Sequence, residues 1–130
     1  MKKVLLFAML LVCGVMATMA QKPAEIKFDK VKHNFGTFLE KDGVQTCTFT
    51  FTNVGEEPLV INQAMPSCGC TVPSYSKEPI MPGQKGEIKV SYNGRGKSYG
   101  YFSKKINVRT NGVPELTVLE IEGEMLERER

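Results

Sequence analysis

The chain has 130 residues, with 17 Lys plus Arg against 14 Asp plus Glu, 42% hydrophobic residues, four Cys and no Trp. That length suits one domain rather than several. Two of the positive charges, Lys2 and Lys3, fall in a leader. Residues 21–130 then hold 15 Lys plus Arg against 14 Asp plus Glu, a net +1, too small a field to steer a polyanion, so nucleic acid is excluded as a partner.

Residues 1–20 read as a secretory signal peptide. Lys2 and Lys3 precede an apolar run from Val4 to Val12, and small residues end in Thr18-Met19-Ala20 before Gln21. A positive start, a short apolar stretch and a small residue at the cut predict cleavage after Ala20 and export to the periplasm or beyond. The run falls short of the roughly 20 residues a bilayer span requires. Val12 stands where a lipid-modified Cys13 would want Gly, Ala or Ser, which argues against lipid anchoring.

Along residues 21–130 the period is two. Ile26-Lys27-Phe28 and Asn34 to Phe38 predict a broken first strand. From Val44 to Asn53, Cys47, Phe49 and Phe51 alternate with Thr46, Thr48, Thr50 and Thr52, a strand with one buried face and one threonine-lined face. Asn53 to Pro58 turns the chain into Leu59-Val60-Ile61. Pro82-Gly83 predicts a type II turn before Ile88, Val90 and Tyr92. Phe102, Ile106 and Val108 share a face that also holds Lys104. Asn111-Gly112 turns into a last strand from Leu116 to Met125. About seven short strands separated by turns predict an all-β, single antiparallel immunoglobulin-like sandwich with its core at about residues 25–125. The absence of Trp, and of a cysteine in the sixth strand to pair with Cys47, makes the likeness to antibody domains one of architecture only.

Between two of these segments lies Met65-Pro66-Ser67-Cys68-Gly69-Cys70-Thr71-Val72-Pro73, the one local constellation with chemical potential. His33 to Thr37, Phe51-Thr52-Asn53-Val54-Gly55, Pro58 to Ile61, Ser67-Cys68-Gly69-Cys70-Thr71, Pro82-Gly83 and Thr110-Asn111 follow in that order. Together they resemble the bacterial domain of unknown function 1573 family over most of the chain. The Ser-Cys-Gly-Cys-Thr segment is the most specific of these motifs. The resemblance implies an exported immunoglobulin-like sandwich akin to major sperm protein and Hydin-type modules. It implies no activity, and it gives Cys47 no role.

Exported thiols meet an oxidising environment, so three cysteines predict one disulfide and one free thiol. A Cys68–Cys70 bridge stabilises by only about 1.6 kcal/mol on chain entropy, and a Cys47–Cys68 bridge by about 3.4 kcal/mol. Gly69 is expected to let the backbone fold tightly enough to join Cys68 to Cys70. The alternative is a soft-metal site: paired thiolates of Cys68 and Cys70 suit Cu(I), with help from Met65 or Met81, whereas zinc would need Cys47 and His33 as further ligands. Thiol redox activity through Cys68 and Cys70 is a third reading. It lacks the two-residue spacer and helix N-terminus that activate thiols.

A hydrolytic triad would have to use His33, and there is no nucleophile turn. Asn93-Gly94-Arg95-Gly96 lacks the strand-turn-helix setting of a phosphate loop. Arg95, Lys97, Lys104 and Lys105, interleaved with Tyr99, Tyr101 and Phe102, read as a solvated loop entering a strand. The expectation is a non-enzymatic binding or structural module of the cell envelope with no cofactor. Its partner would be an unknown protein or envelope component, with Tyr75, Tyr92, Tyr99 and Tyr101 as candidate surface residues.

Overall fold

The computed structural model describes residues 21–128. The expected leader, Cys13 and the last two residues of the charged tail lie outside them. Eight strands form two four-stranded sheets. They are β1 (Ile26–Phe28), β2 (Lys32–Leu39), β3 (Gln45–Asn53), β4 (Ile61–Pro66), β5 (Thr71–Tyr75), β6 (Lys85–Tyr92), β7 (Gly100–Thr110) and β8 (Leu116–Leu126). One sheet runs β1-β3-β6-β5 and the other β2-β8-β7-β4.

The alternation in β3 produces its inward face. Cys47, Phe49 and Phe51 are buried, and the threonines between them face outward. Opposite them, β6 contributes Ile88, Val90 and Tyr92. The second sheet answers with Ile106 and Val108 from β7 and Leu119, Ile121 and Met125 from β8. Removing these side chains from water is the main driving force for closing the two layers. Lys104 lies on the inward row of β7 and is half-buried. The Pro82-Gly83 turn forms as expected: Gly83 has φ 81°, and the Gln84 N–H donates to the Met81 carbonyl at 3.0 Å.

The expected broken first strand is two strands in different sheets. Its crossing is held on one side by Asp29 N–H to the Thr50 carbonyl and on the other by Glu120 N–H to the Val31 carbonyl. That crossing carries β2 alongside β8 in parallel, whereas the other strand pairs are antiparallel. β5 was not legible as a strand. It is five residues long with Pro73 at its centre, a position that an edge strand tolerates because one side of its backbone needs no ladder donor.

β4 and β5 are the outer strands of opposite sheets, so the chain changes sheets through residues 67–70. This places the cysteine loop at one end of the sandwich. The turn between β2 and β3 and the loop between β6 and β7 share that end, because Gln45 pairs with Tyr92 and Tyr92 with Thr71.

Candidate functional site

The cysteine loop is a tight turn tied down on both flanks. Thr71 N–H donates to the Cys68 carbonyl at 3.3 Å, and Asn93 N–H to the Cys70 carbonyl at 2.8 Å. Ser67 N–H donates to the Lys105 carbonyl at 2.9 Å, and the Ser67 hydroxyl accepts from Lys105 N–H at 3.2 Å. These bonds set the Cα atoms of Cys68 and Cys70 5.4 Å apart, within disulfide reach, and the two sulfurs are joined.

Gly69 has neither a left-handed φ nor a neighbour that a Cβ would touch within 4 Å. The expectation that glycine permits the turn is therefore corrected. The turn is one that any residue could adopt, and its apex is open. Cys68 is half-buried and Cys70 is 7% exposed. Thr71 is 1% exposed, and its hydroxyl lies 3.7 Å from Cys68 Sγ and 3.9 Å from Cys70 Sγ.

The long-range bridge favoured by chain entropy is ruled out by position. Cys47 pairs with Val90, which pairs with Pro73 two strands across, and Cys70 lies three residues before Pro73. At about 4.8 Å per strand and 3.3 Å per residue Cys47 lies about 14 Å from Cys70, and Cys68, whose Cα is 5.4 Å from that of Cys70, therefore also stays beyond the roughly 7 Å that a disulfide spans. Cys47 is a free, buried thiol whose pKa burial pushes up to about 11. It acts as a small hydrophobic core residue.

The other soft-metal ligands do not converge on the loop. His33 lies on β2, at the opposite edge of its sheet from β4 and about 14 Å away across three strand spacings. Its Nδ1 lies 3.0 Å from Lys30 Nζ, and burial followed by the Lys30 charge holds its pKa below the usual value. Met65 points outward from β4, and Met81 sits at the far end of the sandwich beside the Pro82-Gly83 turn. Among the described residues no three His, Cys, Asp or Glu side chains gather as a metal site.

A second feature adjoins the loop. The Glu40 carboxylate accepts from Gly96 N–H at 3.1 Å and from the Tyr99 hydroxyl at 2.9 Å. Both bonds favour the charged form, so the Glu40 pKa lies below the ordinary carboxylate value, with the Gly96 N–H the larger cause. The turn after β2 is thereby joined to the loop before β7. Between them opens a hollow of about 600 Å³ lined by Glu40, Lys41, Val44, Arg95 and Tyr99, with Met125 at its base. Sequence patterning did not single out Glu40 or Thr71. Glu40 acts across 59 residues on Tyr99, a relation without local signature, and Thr71 stood in the quoted motif without a role.

Of the four tyrosines, Tyr92 is corrected from surface to core. It is 2% exposed and stacks on Phe102 with ring centroids 4.0 Å apart. Tyr75 is half-buried. Tyr99 and Tyr101 are exposed, the latter donating to Glu122 at 2.7 Å. The basic stretch forms no single face: Arg95 and Lys97 lie in the exposed loop, and Lys104 and Lys105 point to opposite sides of β7. No helix of the described residues is long and apolar enough to cross a membrane.

Solved structures share this sandwich. A Porphyromonas gingivalis W83 protein of unknown function is similar at 16% identity and a TM-score of 0.68, over 84% of this chain and 50% of its own. The chain thus spans about half the length of that protein. The PapD-like domain 7 of human CEP192 is similar at 12% identity and a TM-score of 0.61, over 86% of this chain and 93% of the domain. The Pseudomonas aeruginosa CupB2 chaperone is similar at 11% identity and a TM-score of 0.55, over 75% of this chain and 54% of its own. At these identities the likeness is one of fold. No curated protein matches the chain. The model of the protein family of unknown function DUF1573 matches residues 26–125, from the start of β1 to Met125 in β8, and the chain belongs to that family.

Proposed function

We propose that the chain is a non-enzymatic, exported immunoglobulin-like module that binds a protein or envelope component through the end of the sandwich that carries the cysteine loop. The observation that carries this reading is the joining of three connections into one surface. Tyr99 to Glu40, Gly96 to Glu40 and Asn93 to Cys70 tie the β2–β3, β6–β7 and β4–β5 connections together. Ordering loops before a partner arrives lowers the entropy lost on binding. The surface presents exposed Val44 and Tyr99 beside Arg95 and an open hollow, the mixture of apolar area and polar handles typical of recognition sites. Its place on a sandwich end matches the way such folds present binding loops.

Site-specific photo-crosslinking in the native host tests the reading. A crosslinker at Val44 or Arg95 should give a defined adduct, and one at Thr48, on the outer face of β3, should not. Equal adducts at all three positions, or none at the end surface, would overturn it. Cell fractionation with N-terminal sequencing tests export: the expected product begins at Gln21 and lies outside the cytoplasm. A cytoplasmic chain that retains residues 1–20 would sink that part.

A further inference from the structure

Backbone hydrogen bonds on both flanks anchor residues 67–71 independently of the bond between the sulfurs. Ser67 is tied to Lys105, Cys70 to Asn93, and Thr71 to Cys68, all through the backbone. A ring this small also restricts the unfolded chain little. The bond nevertheless sits in a turn whose apex, Gly69, is exposed, and it joins a half-buried Cys68 to a buried Cys70. Two further details are unexplained by folding. Gly69 has no left-handed φ, and beyond its two chain neighbours a Cβ there would meet nothing within 4 Å, so neither backbone angle nor space requires glycine between the two cysteines. The Thr71 hydroxyl is buried with the two sulfurs as its partners. A disulfide sulfur is a poor acceptor for a buried hydroxyl, whereas a thiolate is a good one.

We propose that Cys68-Gly69-Cys70 is a thiol–disulfide exchange site that accepts two electrons from the dithiol of a partner protein. A partner thiolate attacks the sulfur of Cys68, the less buried of the two cysteines, and forms a mixed disulfide. The Cys68–Cys70 bond breaks, and its electron pair leaves on Cys70 Sγ, where the Thr71 hydroxyl donates a hydrogen bond to the new thiolate. The partner's second thiolate then attacks the partner sulfur of the mixed disulfide and releases Cys68. The partner ends with a disulfide, and its two protons end, through water, on Cys68 and Cys70. Each loop reacts once, and no turnover is required. The bare apex at Gly69 leaves the line of attack open, since exchange depends on access to the sulfur as well as on the thiolate.

The test uses the mature chain with Cys47→Ala throughout, so that every adduct reports the loop, and circular dichroism confirms folding of each variant. Oxidised glutathione is the probe, read by intact mass. Cys70→Ser, which leaves the Cys68 thiol, should form the glutathione adduct at least tenfold faster than Cys68→Ser. In the parent, Cys68 Sγ lies 3.7 Å from the Thr71 hydroxyl, so in the Cys70→Ser background Thr71→Val should move the midpoint of the Cys68 pH–rate profile upward. Gly69→Leu should slow reduction of the intact loop by dithiothreitol several-fold at unchanged melting temperature. Equal rates for the two single-cysteine variants would overturn the proposal. So would a loop that dithiothreitol reduces only after unfolding in urea, or a Gly69→Leu loop reduced as fast as the parent.

Discussion

The side-chain amide of Asn53 donates to the carbonyl of Ile80 at 2.9 Å, across 27 residues of sequence. The same amide donates to the Glu57 carbonyl at 2.8 Å, and its oxygen accepts from Glu25 and Gly55 N–H groups at 3.3 and 3.0 Å. Asn53 is fully buried at the end of β3, so one side chain satisfies four backbone groups from three segments. At the same end, exposed Asn111 accepts from Val60 N–H at 2.8 Å and donates to the Pro58 carbonyl at 3.1 Å. The end opposite the cysteine loop is thus built for rigidity.

Removing a side chain that serves several buried backbone groups leaves them without partners, at about 1–3 kcal/mol for such a group. Asn53→Ala is expected to lower stability by about 3 kcal/mol or more, and Asn111→Ala, whose partners can turn to water, by about 1 kcal/mol. Urea unfolding with a common slope measures both. An Asn53→Ala loss no larger than that of Asn111→Ala would show that the buried network is not the main pin.

Two glycines should respond in opposite ways. A Cβ at Gly86 would overlap the Phe51 ring in the core, so Gly86→Ala is expected to destabilise by about 1–3 kcal/mol. Gly69 meets nothing and needs no special backbone angle, so Gly69→Ala should stay within about 0.5 kcal/mol of the parent. Thermal melts of the two variants decide this directly.

Deleting the loop disulfide as Cys68→Ala with Cys70→Ala should reduce stability by only about 1–2 kcal/mol, the chain-entropy value for so short a ring. A loss of about 4 kcal/mol, measured by urea denaturation under non-reducing conditions, would make the bond a structural staple after all.

Cys47 links stability to alkaline pH. Its pKa is raised from 9.0 to about 11 by burial, so the folded state keeps the thiol proton that the unfolded chain gives up first. The stabilising contribution is whole below pH 9 and is lost as pH rises through about 11. Cys47→Ala should flatten this part of the stability curve, although Tyr92, whose pKa burial also raises, acts in the same direction. Consistent with a buried thiol, iodoacetamide at pH 8 should label Cys47 only when urea unfolds the chain.

Much of the sandwich was legible because its strands are half-buried and therefore alternate. Cys47-Thr48-Phe49-Thr50-Phe51 and Glu87-Ile88-Lys89-Val90 write their faces in period two, and Pro82-Gly83 writes its turn in the residue types the backbone angles demand. β5 escaped because five residues with a central proline carry almost no pattern. The single crossing at Asp29 to Val31 read as a flaw in one strand, since a change of sheet leaves no mark in periodicity.

Local chemistry in the sequence by itself determined the all-β class, the inward rows of β3, β6 and β8, and the presence of one cysteine loop between strands. These depend on alternation and turn residues, which act over a few positions. Only the tertiary structure decided which cysteines can meet, that Tyr92 is core, that Glu40 holds Tyr99, and that Thr71 faces both sulfurs. Such relations are distances across strands and between layers. Sequence separation fixes none of them, because strands adjacent in space are brought together by sheet order and register rather than by their place along the chain.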